Sequence, residues 1–209
     1  DTLLKDFGET RVAAPRDQAV ILAALGDANL AKRDADKARA AYLEALASDP
    51  DQAEARIGLA RTHIIKGDLK AAEDEVREAI KRNPESAEAH ATLADLLTMR
   101  NEPEKSLLSL REAIRLAPRA VNYHFAHVSQ LLRQGNAPEA EKALQAMQAV
   151  AASHPSTRYL KALMDYQANR LVEARDALLQ VLKDAPQYLP AELLAGTVLV
   201  RLNEHTQGR

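Results

Sequence analysis

Small and apolar side chains recur along this chain with a helical spacing, in short blocks separated by turn-forming residues. Ile57, Leu59, Ile64 and Ile65 are followed, across Lys66-Gly67-Asp68, by Ala72, Val76, Ala79 and Ile80. Residues three and four apart share one face of an α-helix, so this stretch predicts two short amphipathic helices joined by a turn. Further turn signals stand at Arg100-Asn101-Glu102-Pro103 and Gln134-Gly135-Asn136-Ala137-Pro138, where Gly, Asn and Pro break helical geometry. One such hairpin leaves apolar faces that it cannot bury alone, and stacking against neighbours buries them.

The blocks have a fixed period. Pro50, Pro84, Pro118 and Pro186 are separated by 34, 34 and 68 residues, so one 34-residue unit repeats, and each proline stops a second helix. With units starting at Ala19, Ala53, Ala87, Val121, Pro155 and Leu189, the eighth residue reads Gly26, Ala60, Ala94, Val128, Ala162 and Gly196. The twentieth reads Ala38, Ala72, Ser106, Ala140 and Ala174, and the twenty-seventh Ala45, Ala79, Ala113, Met147 and Val181. Small residues at fixed places let paired helices approach closely.

Small residues at positions eight, twenty and twenty-seven with proline at thirty-two resemble the tetratricopeptide repeat. The resemblance implies an all-α, right-handed α-solenoid and a protein- or peptide-binding scaffold. Its units are 19–52, 53–86, 87–120, 121–154 and 155–188, with 189–209 the first helix of a sixth. Unit one fits best, through Leu22, Leu25, Gly26, Ala38, Tyr42, Ala45 and Pro50. Unit four has Ala152 at position thirty-two and Pro155 three residues later, which predicts a longer second helix or a different turn. Unit five has Lys161 where a large apolar residue is usual, which predicts a slightly rotated first helix. Residues 1–18 read as a segment of a preceding unit, with Leu3, Leu4 and Phe7 on its second helix and Pro15 closing it, although Arg11 fits position twenty-seven poorly.

A second resemblance lies near the C-terminal end. His154-Pro155-Ser156-Thr157-Arg158-Tyr159-Leu160-Lys161-Ala162-Leu163, with Glu173-Ala174-Arg175 and Ala185-Pro186-Gln187-Tyr188-Leu189-Pro190-Ala191, is similar to tetratricopeptide-repeat lipoproteins of Gram-negative exopolysaccharide and exosortase (PEP-CTERM-type) systems. That resemblance implies a lipoprotein on the periplasmic side of the outer membrane that organises export or sorting machinery. The chain starts Asp1-Thr2-Leu3-Leu4 and reads as a fragment of something longer. Two alternatives stand beside this reading: the regulatory repeat region of a larger enzyme such as a glycosyltransferase, and a cytoplasmic assembly adaptor.

Composition agrees with helices: Trp is absent, aromatics are 3%, and there are 28 basic against 30 acidic residues. The near-balanced charge gives no field favouring nucleic acid or an anionic membrane, and no apolar run reaches the ~18 residues of a membrane span. With no Cys, thiol chemistry and disulfides are excluded. No phosphate loop, G-x-S-x-G or H-E-x-x-H motif occurs, so the chain reads as non-catalytic and without a cofactor. His124 and His127 share a helix face at i, i+3 and would be the best metal pair, but those positions pack inside the hairpin and no third ligand lies one turn away. They read as packed histidines.

In the family, the concave face is lined by positions two, five, nine, twelve and thirteen of each first helix. By that resemblance the candidate groove holds Asp27, Arg61, Ile64, Asp95, Met99, Phe125, Ser129, Arg133, Tyr159 and Tyr166. Phe125, Tyr159 and Tyr166 are either partner-binding anchors or packing between neighbouring helices. The line Asp27, Arg61, Asp95 is either a recognition surface or a set of exposed ion pairs between repeats. The implied ligand is a protein or peptide, with polysaccharide as a further candidate. Relatives that clamp chaperone C-termini carry Lys and Asn where this chain has Ala23 and Asp27, and an aspartate there repels a terminal carboxylate. The last apolar helix, Leu193, Leu194, Val198, Leu199, Val200 and Leu202, has a hairpin partner expected to start near Thr206, and its bare face is a candidate for self-association through residues 193–202.

Overall fold

A computed structural model describes residues 14–207, with side chains described through Asn203. The readings placed on Leu3, Leu4, Phe7 and Arg11 lie outside the described residues. The chain is divided in sequence between Arg100 and Asn101 into two compact units. The first holds α1 (Pro15–Ala31), α2 (Ala35–Ser48), α3 (Ala53–Ile65), α4 (Leu69–Arg82) and α5 (Ala87–Met99). The second holds α6 (Pro103–Leu116), α7 (Val121–Arg133), α8 (Ala137–Ala151), α9 (Pro155–Gln167), α10 (Leu171–Asp184) and α11 (Leu189–Gln207). Within each unit helices pair as antiparallel hairpins and stack on the next pair.

The same local chemistry shapes each hairpin. The fifteenth residue of a repeat takes the left-handed conformation, with φ of 62° at Arg33, 80° at Gly67, 59° at Asn101, 71° at Gly135 and 60° at Asn169. The amide after it returns to the helix, as Asp68 N–H does to His63 O and Arg170 N–H to Asp165 O, the closing pattern that satisfies orphan carbonyls. The next helix is capped in turn: Asp34, Asp68 and Asn136 accept from the backbone N–H of Lys37, Ala71 and Glu139. Helices α2, α4, α6 and α10 end two residues before Pro50, Pro84, Pro118 and Pro186, because proline disfavours the α conformation of the residue before it.

Those end turns are clasped by the fourth residue of the following repeat. Arg56 Nη2 donates to Pro50 O at 3.2 Å, while the Nε2 atoms of His90 and His124 reach Pro84 O at 3.1 Å and Pro118 O at 2.9 Å. Where the proline is missing, Arg158 donates instead to Ser153 O. Helix α8 there runs 15 residues, one more than α2, α4, α6 or α10, as Ala152 in place of proline predicts.

Each unit has its own core. In the first, Ala38, Tyr42 and Ala45 pack with Ala19, Ala23, Ala55 and Leu59, and Ala60 packs with Ala72, Val76 and Leu96. In the second, Val128, Leu131 and Leu160 pack with Ala140, Leu144 and Met147, and Ala162 with Ala174, Leu178 and Val181.

Two expectations change, and a third falls on residues beyond those described. Pro15 opens α1, since at N1 its missing N–H leaves no hydrogen bond unmade; the earlier helix it was expected to close lies outside the described residues. Ile65 is 62% exposed, standing one residue beyond the inward-facing Ile64 and so turned about 100° out of the stack. Helix α11 is still helical at Thr206, where its hairpin partner was expected to start, and runs to Gln207, the last described residue.

Candidate functional site

In the first unit α1, α3 and α5 lie in sequence along one side of the stack, and the candidate residues Asp27, Arg61, Ile64, Asp95 and Met99 stand on them. Arg61 Nη2 donates to Glu88 Oε1 at 2.6 Å, bridging α3 to α5. The ion pair across these repeats therefore uses Glu88 from position two. Asp27 accepts from the Tyr42 hydroxyl at 2.7 Å. Ile64 is half-buried against the α3–α4 core, whereas Ile65 and Met99 are exposed, Met99 by 55%. The face thus carries exposed apolar side chains on α3 and α5 together with the Arg61–Glu88 pair that bridges these helices.

Tyr42 is the residue on which this face is built. Its ring is fully buried, and a Cβ added at either Gly26 or Gly58 would stand 2.3 Å from it. Two glycines on successive first helices thus open the slot, and the hydroxyl emerges at Asp27. Burial, then the Asp27 carboxylate, push the phenol well above its ordinary value.

In the second unit the rings divide. Phe125 stacks on Tyr159 with centroids 6.4 Å apart and planes 30° from parallel. Tyr188 meets Tyr159 edge-on at 5.7 Å and its hydroxyl bonds Ser156 Oγ at 3.2 Å. All three rings pack against the cores on either side. Tyr166 stands apart, its face covered by the Arg201 guanidinium at 5.1 Å, a cation–π contact. Ser129 is half-buried, and exposed Arg133 is tied back to Gln130.

Two features escape a reading by repeat position. Tyr188 belongs to the aromatic group although it sits in the turn before α11, where Pro186-Gln187-Tyr188 was the only signal. Asp165 is 3% exposed at a position where α5 and α7 have Leu97 and Leu131. It accepts from Lys161 Nζ at 3.1 Å and Arg170 Nη2 at 2.7 Å, which explains a lysine in place of an apolar residue in α9. Beside it lies a cleft of ≈ 420 Å³ lined by Leu132, Pro138, Glu141, Met164, Gln167 and Arg170.

The two histidines of α7 face different surroundings. His124 Nε2 is committed to Pro118 O at 2.9 Å. His127 Nε2 is enclosed without a hydrogen bond, and burial, followed by the Arg111 guanidinium and His124, pushes its ring down to about 4. Among the described residues no three His, Cys, Asp or Glu side chains converge as a metal set, and no helix is long and apolar enough to cross a membrane.

Comparison with known proteins places these observations. Two tetratricopeptide repeat families match, one over residues 29–96 and one over residues 125–188. No curated protein matches the sequence. Among solved structures, a thermophilic TPR protein of Thermus thermophilus is 23% identical with a TM-score of 0.71, covering 87% of this chain and 99% of its own. PilF of Pseudomonas aeruginosa is 18% identical with a TM-score of 0.71, covering 93% and 95%. YrrB, described as a TPR protein with an unusual peptide-binding site, is 19% identical with a TM-score of 0.60, covering 93% and 97%. At these identities the likenesses show the fold, an α-solenoid of helix-turn-helix repeats.

Proposed function

This chain is a tetratricopeptide-repeat protein, and from that premise we propose that it is a non-catalytic scaffold that holds a protein or peptide ligand on its first-helix faces. The observation that carries the reading is the first unit's face, where the apolar side chains of Ile65 on α3 and Met99 on α5 are exposed on the two helices that the Arg61–Glu88 pair bridges. Apolar anchors next to fixed charges supply affinity and orientation together. The peptide-binding site ascribed to YrrB supports the same use of the fold. In the second unit Tyr166 and Arg201 offer a corresponding amphipathic spot, while Phe125 and Tyr159 serve mainly as its packed support.

Selection from a displayed peptide library tests this. Peptides enriched on the wild-type chain are expected to lose binding at least tenfold to an Arg61→Glu, Met99→Glu variant of unchanged helicity, and to keep it with Lys70→Glu on α4. Equal binding to all three chains sinks the groove reading.

The finer reading is a scaffold of Gram-negative envelope exopolysaccharide export or protein sorting, held at the periplasmic side of the outer membrane as a lipoprotein. Its support is the resemblance of the 154–163 and 185–191 strings. Fractionation of the full-length protein with palmitate labelling checks it: labelled protein in the outer membrane supports the reading, and unlabelled protein in the cytosol replaces it with the adaptor.

A further inference from the structure

Where α9 packs on α8, the chain departs from its own repeat pattern. Positions seven and eleven of the first helix are Leu93 and Leu97 in α5 and His127 and Leu131 in α7, but Lys161 and Asp165 in α9. The Asp165 side chain is 4% exposed, whereas those of Lys161 and Arg170, which both bond to it, are 56% and 53% exposed. A buried carboxylate held by two cations stabilises a fold no better than well-packed apolar residues of similar size. What this one does is fix the direction of its partners. Asp165 takes the Nε–H and an Nη2–H of Arg170 and one N–H of Lys161, so most of the five guanidinium and three ammonium N–H groups stay unspent.

The two cations line the cleft of ≈ 420 Å³ and a smaller recess of ≈ 120 Å³ that shares Glu141, Met164 and Arg170 with it. Its walls are described helices of the second unit: the end of α7 with α8 on one side, α9 and the turn into α10 on the other. Glu141 on α8 is exposed and has no hydrogen bond or ion pair among the described residues. The Asp165 carboxylate first, with Glu173 and Glu141 after it, raises the Arg170 guanidinium above its ordinary range, so Glu141 lies within electrostatic reach of Arg170 without closing on it. Leu132, Pro138 and Met164 supply apolar lining. The cleft is therefore polarised, with N–H donors on the α9 side, a carboxylate on the α8 side and apolar surface beside both.

We propose that this cleft binds a free α-amino acid with an apolar side chain, its carboxylate on Arg170 and Lys161, its ammonium on Glu141 and its side chain against Leu132 and Met164. A ligand with one charge alone meets a like charge across the cleft: a bare carboxylate faces Glu141, and a bare amine faces the two cations. A zwitterion answers both at once, through charge-assisted hydrogen bonds, which are the stronger kind. The volume of ≈ 420 Å³ lies in the range of small-molecule clefts. The site belongs to the second unit alone and is independent of ligand binding on the first-helix face of the first unit.

The chain's three methionines give the readout. Met164 lines the cleft, Met99 is exposed in the first unit, and Met147 is buried in the α7–α8 core. L-leucine is titrated into the whole chain carrying isotope-labelled methionine methyls, and their resonances are followed by NMR. Saturable movement of the Met164 resonance is expected while Met99 stays still. N-acetyl-leucine, which lacks the cation, and leucinamide, which lacks the carboxylate, are each expected to bind about tenfold more weakly. Glu141→Gln, an exposed change on a helix, is expected to weaken leucine by about the same factor and to tighten N-acetyl-leucine. The proposal is overturned by the absence of a saturable shift at Met164, or by Met99 moving in parallel. It is also overturned if either blocked leucine binds the wild-type chain as tightly as leucine, which would assign the cleft to a singly charged group such as a peptide side chain.

Discussion

Tyr42 fills a slot that exists only because two glycines, Gly26 and Gly58, stand on either side of its ring. A methyl at Gly58 would have to displace a fully buried ring, and overpacking of this kind costs about 1–3 kcal/mol. Gly58→Ala is therefore expected to lower the urea midpoint. The smaller side chain of Tyr42→Leu is expected to restore part of that loss, so a double-mutant cycle gives a coupling term of opposite sign to the single effects. Tyr42→Phe isolates the hydroxyl: losing a hydrogen bond to a charged carboxylate costs roughly 1.5–3 kcal/mol at most, since Asp27 is exposed and regains water. Arg33 is the other telling residue. It adopts φ 62° where two sister turns use glycine, and a left-handed non-glycine residue is strained by ~1–2 kcal/mol. Arg33→Gly is expected to raise thermal stability modestly, and Gly67→Ala to lower it by about 1 kcal/mol.

The helices and their turns show where sequence reading succeeds. Gly67, Gly135 and Asn101 announce left-handed turns by type, and the prolines announce the helix ends, so the hairpins were legible. The turn at Arg33 was not signalled, because the conformation there is imposed by the stacked helices against the residue's own preference, and at Asn169 a lone asparagine was the whole signal. Candidate-site residues were legible by position but not by role. Repeat register placed Arg61 beside α5, yet the choice of Glu88 as its partner depends on side-chain reach, and Asp165 was hidden because its charge is paired by Lys161 and Arg170 only after folding. In α7, His127 carries a pH prediction. Its ring takes a proton near 4 when folded and near 6.5 when unfolded. The unfolded chain therefore binds more protons between those values, and its contribution to stability, complete above about 6.5, is lost as pH falls toward 4. Melting temperatures of His127→Gln are expected to depend less on pH over that window than those of the wild type.

At the scale of the molecule, the repeat fold spends its apolar residues on neighbour contacts, and each unit has its own core clusters. Stability in such arrays is close to a sum of repeat and nearest-neighbour terms. Amide exchange is therefore expected to accelerate mainly in α1–α4 for Gly58→Ala and mainly in α7–α10 for Leu144→Ala; uniform acceleration along the chain in both would contradict nearest-neighbour energetics. The glycine slot has a further consequence, in optics. The chain has no Trp, and of its five tyrosines Tyr42 alone precedes residue 100. Near-ultraviolet dichroism and difference absorbance of the first unit thus come from one phenol held rigidly between two helices. Subtracting the spectrum of Tyr42→Phe from that of the wild type leaves a reporter of the first unit alone, already written into the sequence without a label.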